Sequence, residues 1–240
     1  MDNIAQIKNI LSAQDYKINS YLTSGRKTHF FYAYYISAAG WEDDLITAHK
    51  QGFDNYPLWA PKKENMTFFW ERIMGCETDY VDEKKDFFHT FCIPCVKSSA
   101  DVSALKSLWD KNGIWRSYLA KVREYADQEN SFKLPLATPG LNLLDCACGI
   151  CRTEQLFTLL YDDEKAALQL FEYITEAFLA CIKQLKDTGI EMRNPYGFPG
   201  VYCNDLQMPY LSPAMVKKFI LPFYKRIAHE SGGLILAINC

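Results

Sequence analysis

Hydrophobic residues in the C-terminal part of the chain follow a strand-like pattern and then a helix-like pattern. Residues 201–203 form a short β-branched and aromatic run that ends at Asn204 and Asp205. Apolar residues then recur at helical spacing after the start signal Ser212-Pro213, and a glycine pair stops this helix before the continuous apolar run 234–238. A strand, a loop, a helix and a second buried strand in this order predict an α/β fold.

The same alternation extends toward the N-terminus. Runs of β-branched and aromatic residues predict strands at 29–36, 86–92, 134–138, 200–203 and 234–238. Helical spacing predicts helices at 41–50, 66–74, 101–129 and 153–187, the last divided near residues 161–163. The segment 52–63, which contains two prolines, is expected to be a loop. The buried stripe of the 153–187 helices is predicted to comprise Ala167, Leu170, Phe171, Ile174, Phe178, Cys181, Ile182 and Leu185.

Length and charge limit the class of protein. A chain of 240 residues that is 49% hydrophobic is sufficient for one domain over residues 1–240, since α/β barrels of about 250 residues form one unit. The net charge of −3 argues against a nucleic-acid partner. Residues 1–17 lack the apolar core of a signal peptide, and no apolar run approaches the about 18 residues of a membrane helix. We therefore predict a cytoplasmic protein without a membrane partner.

Nine cysteines are an odd number in a chain that is too large to need disulfide bonds, so reduced thiols are expected. Two groups have spacing that suits zinc, namely Cys92 with Cys95, and Cys146 with Cys148 and Cys151. The alternative is that these thiols are small buried hydrophobic side chains, and the apolar run around Cys92 and Cys95 favours this alternative.

The order of several segments resembles a known superfamily. Asp205 lies six residues before Leu211-Ser212-Pro213, the segment Phe-x-x-Pro-Phe-Tyr occupies 219–224, and a helix, a glycine pair and an apolar strand ending in cysteine follow. This order is similar to that of the uroporphyrinogen decarboxylase superfamily, which also contains the methylcobalamin:coenzyme M methyltransferases. Segments within 139–170 resemble the preceding helix pair, so the resemblance covers roughly residues 70–240.

The resemblance implies a (β/α)8 fold of the TIM-barrel type. Such a barrel has eight strands, whereas the sequence contains five strand candidates, the last of them at 234–238. We therefore expect the single domain 1–240 to be a partial barrel that is incomplete at the C-terminus.

The methyltransferase branch implies transfer of a methyl group carried by a corrinoid such as methylcobalamin, with a small-molecule substrate or a corrinoid protein as partner. That branch holds zinc through a His-x-Cys pair at the end of the strand that matches 234–238, and through a later cysteine. Cys240 matches the first cysteine and is the candidate zinc ligand, whereas Ile238 occupies the histidine position. Asp205 is the candidate catalytic residue because it ends a strand, and its alternative role is an Asx-turn that shapes the next loop.

Tyr202, Asn204 and Arg26 are the candidate substrate-binding residues. A second hypothesis is uroporphyrinogen decarboxylation in porphyrin biosynthesis, although the arginine-containing N-terminal motif of that enzyme is absent and Arg26 is the only arginine before Arg72. A third hypothesis is a catalytically inactive or truncated protein that serves in binding or assembly. A homodimer is a further expectation.

Overall fold

The computed structural model describes residues 5–13, 15, 33–36, 56–61, 68–80, 90–129 and 133–238. The strands of this part of the chain are β1 (Ala33–Ile36), β2 (Tyr56–Trp59), β3 (Glu77–Tyr80), β4 (Thr90–Ile93), β5 (Leu136–Ala137), β6 (Met192–Arg193), β7 (Val201–Asp205) and β8 (Leu234–Ile238). The helices are α1 (5–13), α2 (Phe69–Ile73), α3 (Ser99–Val102), α4 (Ile114–Asp127), α5 (Leu143–Cys151), α6 (Thr153–Asp162), α7 (Glu164–Lys186), α8 (Pro213–Met215) and α9 (Leu221–Ser231).

Six of the eight described strands pair in parallel. A four-stranded sheet has the order β1-β2-β5-β6, and a separate pair joins β7 to β8, with Val201 opposite Leu234. The strands β3 and β4 form an antiparallel hairpin. The prediction of an α/β fold is therefore confirmed in this coarse form.

The described strands do not form a closed barrel, because they divide into a four-stranded sheet, a hairpin and a pair. The structure thus supports one part of the (β/α)8 prediction, namely parallel strands with helices between them, and shows no closed barrel among the described residues. Parts of the predicted segments lie outside the described residues, namely 29–32, 41–50, 52–55, 62–63, 66–67 and 86–89.

Helix α7 is the centre of the hydrophobic core. It contacts α3, α4, α5, α6 and α9, and each member of the predicted stripe from Ala167 to Leu185 is buried. Full burial of one large aliphatic or aromatic side chain contributes about 1.5–3 kcal/mol. The division of the 153–187 region near Asp163 is also confirmed, since the Asp163 side chain accepts a hydrogen bond from the Ala166 N–H and begins α7.

The segment between β7 and β8 follows its sequence signals. The Ser212 side chain accepts a hydrogen bond from the Met215 N–H at the start of α8, and Gly232 ends α9 in the left-handed conformation. A π-helical turn, Val216–Ile220, lies between α8 and α9 and precedes Pro222. In the described part of the chain, no helix combines the length and the apolar character that crossing a membrane requires.

One local prediction was wrong, and two elements, β3 and α5, were not among the predicted strands and helices. The segment 52–63, which was expected to be a loop, contains β2, whose Pro57 lies opposite Tyr34 of β1. The described end of the predicted 86–92 strand lies in β4, which pairs with β3, a strand that was not predicted. The segment Leu143–Cys151 is helical although glycine and cysteine are weak helix formers. Its burial against α7 and its capping by a distant residue outweigh this low propensity.

Candidate functional site

The two faces of β7 separate the residues that the sequence placed in one site. Val201, Cys203 and Asp205 are buried, whereas Tyr202 and Asn204 are half-buried. Because side chains alternate along a strand, Asp205 points to the opposite face from Tyr202 and Asn204. The structure therefore does not bring the candidate catalytic residue together with these two candidate binding residues. Arg26 and Cys240 lie outside the described residues, and their roles stay predictions.

Asp205 caps helix α5 from the end of β7. Its Oδ1 accepts hydrogen bonds from the Leu144 N–H at 3.0 Å and from the Asp145 N–H at 3.1 Å. The Tyr224 hydroxyl of α9 donates to Asp205 Oδ2, and the same hydroxyl accepts the Leu143 N–H at 3.2 Å. These donors are the free N–H groups of the first turn of α5. Asp205 is 0% exposed, so its carboxylate is directed to these internal partners.

Asp145 makes the reciprocal contact. Its Oδ2 accepts the Leu206 N–H at 3.0 Å and its Oδ1 accepts the Gln207 N–H at 3.1 Å. The first turn of α5 therefore binds β7 in two ways. Its Asp145 side chain binds the loop after β7, and its backbone N–H groups bind Asp205, the last residue of β7. Together the two carboxylates attach α5 to the carboxyl end of the β7–β8 pair.

Asn204 lies on the other face of β7. Its N–H donates to Asn142 Oδ1 at 2.7 Å, which adds a third link between the start of α5 and the strand. The Asn204 side-chain oxygen is buried and has no hydrogen-bond partner among the described residues. A buried amide oxygen without a donor is costly, so Asn204 has an unused acceptor at this end of β7 among the described residues.

Burial raises the pKa of several acids around α5. The pKa of Asp205 rises to about 6, chiefly because the carboxyl is desolvated, although the Tyr224 hydroxyl and the backbone donors act in the opposite direction. Burial likewise raises the pKa of Asp145. Glu71 of α2 lies against Gly149 of α5, and burial, with the nearby Asp145 carboxylate as a smaller contribution, raises its pKa to about 7.

Burial thus raises the pKa of all three carboxyl groups above the ordinary value. In this geometry the Asp205 oxygens accept hydrogen bonds from protein donors, so the chemistry available to this side chain is the positioning of α5. A catalytic role for Asp205 stays a prediction.

No protein-family model and no curated protein matches the sequence. Among solved structures, a methyltransferase from Methanosarcina mazei is similar to this chain, with a TM-score of 0.54 and 13% sequence identity. The match covers 83% of this chain and 55% of that enzyme, so the chain spans about half the length of the enzyme it resembles. The chain has a methyltransferase-like fold.

A zinc centre is not assembled in the part of the chain that the structure describes, since no three His, Cys, Asp or Glu side chains there are placed to hold a metal ion. The eight cysteines of that part are free thiols. Cys240 lies outside the described residues, so its role as a zinc ligand stays a prediction.

Sequence reasoning missed Asn142, Asp145, Glu71 and Tyr224. Tyr224 belongs to the Phe-x-x-Pro-Phe-Tyr segment that carries the family resemblance, so a signal was present for it. No local pattern marks the other three, because each acts on an element that is distant along the chain.

Proposed function

We propose that this chain is a methyltransferase-like protein of the TIM-barrel type that transfers a methyl group to a thiol acceptor. The observation that carries the proposal is the similarity of fold to a methyltransferase over 83% of the chain. A corrinoid such as methylcobalamin would supply the methyl group when bound. The described residues do not fit a zinc centre, so the proposal assigns no step to zinc.

Asn204 is the residue we propose for ligand binding. Its side-chain oxygen is a buried acceptor without a partner among the described residues, and it lies at the carboxyl end of a parallel strand, where α/β proteins bind their ligands. An acceptor at this position suits the amide groups at the edge of a corrinoid. Asp205 is proposed as a positioning residue, because it holds α5 and the following loop against the strand that carries Asn204.

The test is methylation of a thiol by the full chain in the presence of methylcobalamin, with the thioether product measured by mass spectrometry. We expect product that requires both the protein and the thiol. The variant Asn204→Leu should raise KM for methylcobalamin about tenfold, the equivalent of one lost hydrogen bond. Tyr161→Ala changes a side chain that is 74% exposed on α6 and should leave KM unaltered. Absence of product with every thiol acceptor, from a chain that unfolds cooperatively, would count against methyl transfer.

A second candidate function is a catalytically inactive binding or assembly protein. The burial of Asp205 and the use of both its oxygens in the cap of α5 favour this candidate. Saturable binding of methylcobalamin without methylation of any thiol would support it. The decarboxylase hypothesis is tested separately, by incubating the chain with uroporphyrinogen and measuring coproporphyrinogen.

A further inference from the structure

Two cysteines flank the base of the β3–β4 hairpin. Cys76 follows α2 and directly precedes β3, and Cys95 follows β4 after one intervening proline. Glu77 lies opposite Ile93 in the antiparallel register, which places the residues just outside this pair next to each other. The Cys76 and Cys95 Sγ atoms are 3.4 Å apart, although the two residues are distant along the chain.

The base of the hairpin is attached to α5. The Cys95 N–H and the Val96 N–H both donate to the Ile150 carbonyl at 3.0 Å, and the Cys92 thiol donates to the Gly149 carbonyl at 3.4 Å. Cys76 is 1% exposed, whereas Cys95 is partly exposed. Cys95 is the more exposed residue of the pair, so we expect a small reagent to react with its thiol first.

We propose that Cys76 and Cys95 form a reversible disulfide bond. The oxidant is a low-molecular-weight disulfide. The Cys95 thiolate attacks one of its sulfur atoms, forms a mixed disulfide and releases the first small thiol. The Cys76 thiol, after losing its proton, attacks the Cys95 sulfur and releases the second small thiol. The protein loses two hydrogen atoms and the small disulfide gains them.

The geometry requires only a small movement. A disulfide bond is about 2.05 Å long, so the sulfur atoms must approach each other from their separation of 3.4 Å. Cys76 and Cys95 lie on either side of the hairpin base, so the new bond would link the two strands covalently beside α5. The hairpin base is hydrogen-bonded to α5, so oxidation would restrain α5. Asp145 in the first turn of α5 binds the loop after β7, and this loop would be restrained with it.

Local contacts raise the pKa of both thiols, so we expect the exchange to be slow at neutral pH. The hydrogen bond between Cys76 and Cys95, together with burial, raises the pKa of Cys95, and the neighbouring Cys92 thiol is the largest cause that raises the pKa of Cys76. The test is therefore run at about pH 8.5, where more thiolate is present than at pH 7.

The experiment is oxidation of the full chain with oxidised glutathione, followed by alkylation of the remaining thiols and digestion with trypsin. Cleavage after Arg72, Lys84, Lys85 and Lys97 yields one peptide with Cys76 and another with Cys92 and Cys95. We expect the two peptides to be joined and to separate on reduction. Fragmentation before Pro94 divides Cys92 from Cys95 and should place the alkyl group on Cys92.

Two variants serve as matched controls. Cys92→Ser should still form the crosslink, whereas Cys95→Ser should lose it and leave Cys76 alkylated. The unaltered chain is decisive even if a variant fails to fold, because the fragment masses identify the joined residues. A disulfide between Cys92 and Cys95, alkylation of both Cys76 and Cys95 after prolonged oxidation, or stoichiometric zinc that blocks oxidation until a chelator removes it would each overturn the proposal.

A second readout is thermal unfolding. The oxidised protein should melt several degrees above the reduced protein, because the crosslink restricts the unfolded chain. Addition of reductant should reverse the increase. A crosslinked protein with an unaltered or lower melting temperature would show that the bond strains the hairpin, and would overturn the inference that the pair is poised to close.

Discussion

Asp205 and Asp145 each accept backbone hydrogen bonds from the segment that carries the other. Asp205 accepts the Asp145 N–H, and Asp145 accepts the N–H groups of the two residues that follow Asp205. The positive end of α5 and these N–H donors stabilise two carboxylates that would otherwise repel each other. This exchange connects the end of a strand to the start of a helix that is far away in the sequence.

The capping role of Asp205 predicts a large effect of its removal. Asp205→Ala leaves the Leu144 and Asp145 N–H groups and the Tyr224 hydroxyl without their buried acceptor. We expect the free energy of unfolding to fall by about 3 kcal/mol relative to Asp205→Asn, whose amide oxygen still accepts both N–H groups. Urea denaturation followed by circular dichroism measures the difference. Equal stability of the Ala and Asn variants would contradict the cap.

The pKa of Asp205 predicts the sign of a pH effect. A folded-state pKa of about 6 against an ordinary value of 3.8 means that the folded chain binds this proton more tightly than the unfolded chain. The stabilisation is complete below the ordinary pKa and is lost as the pH rises through about 6. Between pH 4 and pH 7, unfolding of the unaltered chain should become easier by about 2 kcal/mol relative to Asp205→Asn.

Urea denaturation of both proteins at a series of pH values checks this difference. The raised pKa of Glu71 acts in the same direction but is common to the two proteins, so it cancels in the comparison. A difference that does not vary with pH would show that Asp205 titrates as an ordinary carboxyl group.

Gly200 is predicted to be required by a close approach of two strands. A Cβ atom at Gly200 would lie 2.3 Å from the Gly233 carbonyl oxygen, whereas a Cβ atom at Gly232 would meet nothing within 4 Å. Both glycines have a positive φ, 91° and 89°, so alanine is strained at either position and the contact with Gly233 distinguishes the two. Gly200→Ala should therefore destabilise the fold by about 2 kcal/mol more than Gly232→Ala. Thermal and urea unfolding of both variants measure this, and equal losses would contradict the close approach.

Arg152 is predicted to hold backbone strain between α5 and α6. Its φ of 67° and ψ of 151° lie in a region that is almost restricted to glycine. Arg152→Gly should raise the free energy of unfolding by about 1 kcal/mol, since relief of strain exceeds the added entropy of the unfolded chain. Arg152→Ala keeps the Cβ atom and should have little effect. The prediction fails if glycine and alanine at this position give the same unfolding midpoint in urea.

Helices with strong periodicity were predictable from the sequence. The stripe from Ala167 to Leu185 and the caps at Ser212 and Asp163 depend on residues that are near each other in the chain. Local periodicity and capping chemistry are properties of a short segment, so the sequence alone determined α6, α7, α9 and the parallel strands β7 and β8. It also placed Asp205 at the end of β7.

Tertiary structure decided the rest. The helix Leu143–Cys151 exists because a distant strand end caps it and because α7 buries its apolar face. The separation of Asp205 from Tyr202 and Asn204 follows from the burial of alternate β7 residues against the helices, and the contact between Cys76 and Cys95 follows from the register of a hairpin. Such contacts join residues far apart in the sequence, and their energies depend on burial and pairing that no local pattern contains.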